Sequence, residues 1–153
     1  MVTGGCASQS GFSGDALVFD PCSPVVVAAP DASDNQLASI DSALASWNAQ
    51  GVEFVRRALP EITPEVTITF RDASEAIYGF YDDTTAIVYV NVALTDGSKR
   101  AITVAHELGH ALGLVHIAPA TRASVMNPGN LTVGPNDGDR VELAARWGSC
   151  IAP

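Results

Sequence analysis

The eleven residues His106-Glu107-Leu108-Gly109-His110-Ala111-Leu112-Gly113-Leu114-Val115-His116 constrain this chain more than any other stretch, because they contain all three of its histidines. If the chain is helical through about Leu112, His106 and His110 stand four residues and about 6 Å apart along the axis, on one face. One turn then supplies two metal ligands. Glu107 falls at the edge of the same face, within reach of a metal-held water without being a ligand. His116 cannot join them along a continued helix, which would carry it about 15 Å from His106 against a ligand distance of about 2 Å. The chain therefore has to reverse, and Gly113 can take the left-handed conformation that ends a helix. Three neutral imidazoles leave a fourth tetrahedral position open to water, the arrangement of a catalytic rather than a structural zinc ion.

The spacing HExxHxxGxxH resembles the metzincin clan of zinc metallopeptidases and matches it at every fixed position. The clan's second signature is a methionine in a tight turn beneath the metal. Ser124-Val125-Met126-Asn127-Pro128 supplies it, with Met126 ten residues after His116. The resemblance implies an α+β, zincin-type domain: a twisted, mixed, mostly parallel sheet with two long helices behind it, a zinc helix, a Met-turn and a C-terminal helix. It also implies a cleft between an edge strand and the metal. Ala86 to Val90, the strand just before the zinc helix, is expected to form that rim and to bind substrate as one more strand of the sheet.

Within the clan, Ser, Asp, Glu or Pro after the third histidine resembles matrixins, adamalysins, astacins or serralysins; here the residue is Ile117. No Tyr follows Met126, and no histidine is left for the structural zinc of matrixins. The Arg140-Val141-Glu142-Leu143 run and terminal Trp147-Gly148 look most like a matrixin, so the chain resembles a minimal matrixin-like catalytic domain.

The resemblance implies a zinc-dependent endopeptidase acting on proteins or peptides. His106, His110 and His116 would hold one Zn2+, Glu107 would be the general base, and Met126 would form an apolar floor beneath the histidines. Two other readings remain open. One is a catalytically silent zinc protein that captures peptides without cutting them, and the other is a latent form blocked by its N-terminal arm. A serine or threonine nucleophile is disfavoured, since every histidine is committed to the metal spacing.

Composition narrows the partners. The 153 residues suit one catalytic domain, with residues 1–15 as an irregular arm, and 47% apolar against 16% charged residues suits a folded chain. A formal net charge of −9 disfavours nucleic acid and anionic membranes. No apolar run approaches the ~20 residues of a membrane span. The N-terminus lacks the basic and apolar regions of a signal peptide. Because the clan is largely secreted, a secreted monomer whose export signal has been removed is expected. Cys6, Cys22 and Cys150 allow three single pairings. Cys22 with Cys150 is the expected one, leaving Cys6 as a free thiol, a lipid-bearing cysteine or a latency thiolate.

Along the chain, Ala16 to Phe19 and Val25 to Ala28 are candidate strands. Ser33 and Gln36 form a capping box for a helix whose stripe is Leu37, Ile40, Leu44 and Trp47, stopped by Gly51. Val52 to Ala58 is a further candidate strand, followed by a loop with Pro60 and Pro64. Val66, Ile68 and Phe70 alternate with threonines as a half-buried strand does. Tyr78 to Tyr81 and Ala86 to Asn91 flank a short connection. Ser98 is the expected N-cap of the zinc helix, and Asn136 or Asp137 that of a last helix ended by Gly148. Asp82, Asp83, Asp96, Asp137 and Asp139 could include a Ca2+ site, although loop aspartates more often form turns and caps.

Overall fold

The computed structural model of the chain describes residues 16–58 and 63–151. The elements run β1 (Val25–Ala28), α1 (Asp34–Asn48), β2 (Phe54–Arg56), β3 (Val66–Arg71), β4 (Gly79–Asp82), β5 (Ile87–Asn91), α2 (Gly97–Ala111) and α3 (Asp137–Trp147), with a 3-10 turn at Ser149–Ile151. The arm expected over residues 1–15, Cys6 within it, and Pro60 lie outside the described residues.

The five strands form one sheet in the order β2-β1-β3-β5-β4. The first four are parallel, and β4 alone runs antiparallel, to β5. This is the mixed, mostly parallel sheet expected from the motif. Its strands are rich in Val, Ile and Thr, which fit a pleated surface. In β3, Val66 and Ile68 are buried while Thr67 and Thr69 are half-buried, so the period of two sets which face meets the helices. Val27, Ile68 and Val88 share one core with Ile40, Leu44 and Trp47 of α1 and Val104 and Leu108 of α2. Trp47 is fully buried, as its place on the apolar stripe predicts, and its indole N–H donates to the Ala105 carbonyl at 2.8 Å. That bond ties α1 to the middle of α2 and satisfies the buried indole donor.

Three expectations need correction. Ala16 to Phe19 is not a strand: two of its main-chain donors go to distant parts of the chain rather than to one partner strand, Leu17 N–H to Asp83 O at 2.7 Å and Phe19 N–H to Ala111 O at 2.8 Å. The helix bearing the histidines is capped by Asp96, not Ser98; the Asp96 carboxylate accepts from Lys99 N–H at 2.9 Å, starting α2 at Gly97. Most important for the cleft, Ala86 to Val90 is not the rim. β5 lies between β3 and β4, so the hairpin return puts β4 at the edge.

Other local signals hold. Gln36 accepts from Ser33 N–H at 2.8 Å at the start of α1, and Asn136 caps α3, which Gly148 ends with a φ of +82°. The candidate strand at Val52 to Ala58 shortens to Phe54–Arg56. Cys22 and Cys150 form the expected disulfide, with Cα atoms 5.4 Å apart, joining the segment before β1 to the turn after α3.

Candidate metal centre

α2 delivers His106, Glu107 and His110 from adjoining turns, and all three are buried: 1%, 1% and 3% exposed. The helix ends at Ala111, and Gly113 then turns the chain with a φ of +82°. A Cβ at 113 would meet only the guanidinium end of the exposed Arg146 side chain of α3, so it is the left-handed conformation that calls for glycine. Trp147 donates its indole N–H to Leu112 O at 2.8 Å, fixing the end of α2 against α3. The reversal brings His116 back over the helix. Its Nε2 stands 3.1 Å from His106 Nε2 and 3.3 Å from His110 Nε2.

Tautomer follows from the other ring nitrogens. His106 Nδ1 is 2.6 Å from the Val125 carbonyl and His110 Nδ1 is 2.8 Å from the Leu114 carbonyl. A carbonyl can only accept, so both Nδ1 atoms carry the proton and both Nε2 atoms present a lone pair to the same point. Burial, reinforced by the neighbouring His110, pushes the pKa of His106 down to about 3. Burial also pushes His110 down to about 4 and lowers His116. Neutral imidazoles with converging lone pairs repel one another unless a cation lies between them. Tetrahedral Zn–N bonds of about 2.0–2.1 Å put ligand nitrogens about 3.3 Å apart, close to the spacings found here. The donor set therefore fits a metal ion.

Met126 lies under this group. It is fully buried, and its sulfur packs so closely on the Gly109 backbone that a methyl at 109 would overlap it. Ile117 N–H donates to Met126 O at 3.0 Å, which locks the chain just after His116 to the Met-turn. Asn127 completes the fastening. Its side-chain amide donates to Ile117 O at 2.9 Å and Arg122 O at 3.0 Å, while its Oδ1 accepts from Ser124 N–H at 2.9 Å.

Beneath the turn stands a residue that sequence reading assigned only to caps or calcium. Asp139 of α3 is fully buried and accepts from the Ser124 hydroxyl, from Val125 N–H at 3.2 Å, from Asn136 N–H at 3.1 Å and from Arg122 Nη1 at 2.9 Å. The Val125 carbonyl is the one that orients His106, so Asp139 reaches the metal centre through one residue. Three of the aspartates weighed for Ca2+ serve local structure, the commoner use of loop aspartates. Asp82 accepts from Thr84 N–H and hydroxyl, Asp96 caps α2 and Asp137 pairs with Arg140 at 3.3 Å. Among the described residues, these aspartates form no cluster of three metal-ligand atoms.

The edge strand beside this group is β4. Gly79 faces α2 so closely that a Cβ there would stand 2.7 Å from Thr103 Cγ2 and 3.0 Å from both Cγ and Oε1 of Glu107. The missing side chain lets the rim strand lie against the carboxylate. Neither this role of Gly79 nor that of Asn127 or Asp139 was singled out from the sequence.

No protein-family model matches the sequence, and no curated protein matches it. Solved structures do. The crystal structure of myroilysin superposes with a TM-score of 0.65 at 14% identity, covering 94% of this chain and 90% of that one. High choriolytic enzyme 1, a hatching-enzyme zinc protease from the medaka fish Oryzias latipes, superposes with a TM-score of 0.58 at 15% identity, covering 92% and 98%. At such identities the likeness is one of fold. The chain has the metzincin-type protease fold that its motif implies.

Proposed function

We propose that the chain is a zinc-dependent endopeptidase and that His106, His110 and His116 hold its metal. The observation that carries this reading is the convergence of three neutral Nε2 atoms beside a buried Glu107 at the foot of an edge strand. Zinc held there would act as a Lewis acid and lower the pKa of water toward about 7. The chain's own groups do the rest. β4 receives the peptide as an added strand through main-chain hydrogen bonds, having a strand partner on one side only among the described residues. Glu107 takes a proton from the attacking water and passes it to the leaving amine nitrogen as the peptide C–N bond breaks. The Val125 and Leu114 carbonyls hold two imidazoles in the ligating tautomer, and Met126 closes the floor.

An intact Glu107 favours turnover over peptide capture, since a binding protein has no use for a base beside the metal. The Cys22–Cys150 disulfide supports an oxidising, extracellular setting. No described helix is long and apolar enough to cross a membrane. We read the chain as a monomeric, matrixin-like single domain within its fold.

Metal analysis tests the assignment. The purified chain should bind one zinc per molecule, lose peptidase activity on chelation and regain it with one equivalent of zinc. Stoichiometric zinc that survives the triple replacement of His106, His110 and His116 by alanine would contradict it.

A further inference from the structure

Successive residues of β4 face opposite ways. Gly79 lies against Glu107, and Phe80 stands half-buried on the face of the sheet away from the helices. There the Phe80 ring stacks on Tyr89 of β5, with centroids 6.5 Å and planes 22° apart. Arg71 of β3 holds its guanidinium carbon 5.6 Å from the Tyr89 centroid. With Ile77 and Asp72 these side chains wall a hollow of about 280 Å³ over β5, which Gly79 and Phe80 of the edge strand border on one side. The loop beside it is held in place: the Asn91 amide donates to the carbonyls of Ala73, Ser74 and Ile77 at 3.3, 3.1 and 2.9 Å. The mechanism above uses none of these side chains.

Residues directly opposite each other on neighbouring strands share a face and lie about 4.5–5.5 Å apart. A peptide added to the edge of β4 therefore puts the residue opposite Phe80 on the outer face, beside the Phe80 ring. Gly79 is level with Glu107, so that residue falls within about two positions of the bond being cut. At about 280 Å³ the hollow lies at the small end of ligand sites, with room for one large side chain. Its lining is mostly aromatic and aliphatic, with Asp72 and Asn91 as polar members beside Arg71, which already lies over Tyr89.

We propose that Phe80 and Tyr89 form a side-chain subsite of the cleft that selects a large apolar or aromatic substrate residue close to the scissile bond. This rests on the peptidase reading and deepens it.

The test uses the zinc-loaded chain and peptides that differ at one of the two positions on either side of the cut, carrying Phe, Leu or Ser there. At one position, kcat/KM for the Phe peptide should exceed that for Ser by about tenfold or more, the usual reach of an apolar pocket. Phe80→Ala and Tyr89→Ala should each bring that ratio to within about threefold of unity and leave the ratios at the other positions in place, while Phe80→Tyr preserves it. Circular dichroism and melting establish that each variant is folded, and either alanine variant alone suffices. An unchanged ratio in a folded alanine variant overturns the proposal, as does a parent chain with no apolar preference at any of the four positions. If the parent cuts none of the peptides, the peptidase reading fails separately, and the same comparison is made on Kd. A Phe-over-Ser affinity that depends on Phe80 then supports the subsite, and equal affinities overturn it.

Discussion

Replacing Asp139 with alanine tests how the C-terminal helix governs the metal centre. The carboxylate accepts four hydrogen bonds, three of them from the loop residues Arg122, Ser124 and Val125 and one from Asn136. Hydrogen bonds to a charged group are worth about 1.5–3 kcal/mol each, which would sum to more than such a network delivers because the bonds share one acceptor. The better guide is the roughly 3–5 kcal/mol lost when one partner of a buried ion pair is removed, and the Arg122 side chain is only 25% exposed. Against a total stability of about 5–15 kcal/mol this is a large fraction. At about 2–4 °C per kcal/mol for a chain of this size, the midpoint should fall by about 10 °C. Zinc affinity should fall as well, by about 10–100-fold, because the freed Val125 carbonyl no longer fixes His106. Denaturant titration of the metal-free chain reads the first effect, and competition with a chelator reads the second. A variant that loses less than about 1 kcal/mol and keeps parental zinc affinity would refute the chain of contacts from Asp139 to His106.

Gly79→Ala should leave zinc content unchanged while lowering kcat by about 10–100-fold, because the added methyl meets Thr103 and the Glu107 carboxylate; parental kcat would show that the rim gives way freely. Tyr81 provides a pH test, since burial, and then the charges of Asp83 and Asp82, raise its pKa above the ordinary value near 10. The folded chain keeps this proton where the unfolded chain loses it, so stability present below pH ~10 falls as pH rises beyond it. In Tyr81→Phe, which lacks the hydroxyl that donates to Leu17 O, stability measured from pH 9 to 11 should decline less steeply; identical slopes would be the contrary result. Reducing Cys22–Cys150 should lower the melting temperature, since the chain-entropy model assigns about 4–5 kcal/mol to so long a loop; an unchanged midpoint would count against it.

What the sequence showed depended on how far apart the partners lie. The four-residue step from His106 to His110, the reversal at Gly113 and the Ser33 capping box are local, and each follows from helix geometry. Asp139 could not be found in this way, because its ligands come from a loop 14 to 17 residues earlier and its charge reads equally well as a cap. Gly79 gives no signal of its own: its meaning lies in the approach of α2, 24 residues and more along the chain. The rim was misplaced for a similar reason. Chain order puts β5 next to the zinc helix, but the tight hairpin returns β4 to the outside, so the neighbour in sequence becomes an interior strand. A clue was present in Tyr78-Gly79-Phe80-Tyr81, where a glycine interrupts aromatic residues in a strand, a pattern that marks close backbone approach.

The most direct test of the account is hydrolysis of an unfolded protein such as casein by the zinc-loaded chain beside its Glu107→Ala variant, with zinc content measured in both. The account predicts full zinc in each and cleavage by the unmodified chain alone. Equal cleavage by the two proteins would remove Glu107 from the mechanism and contradict the central claim.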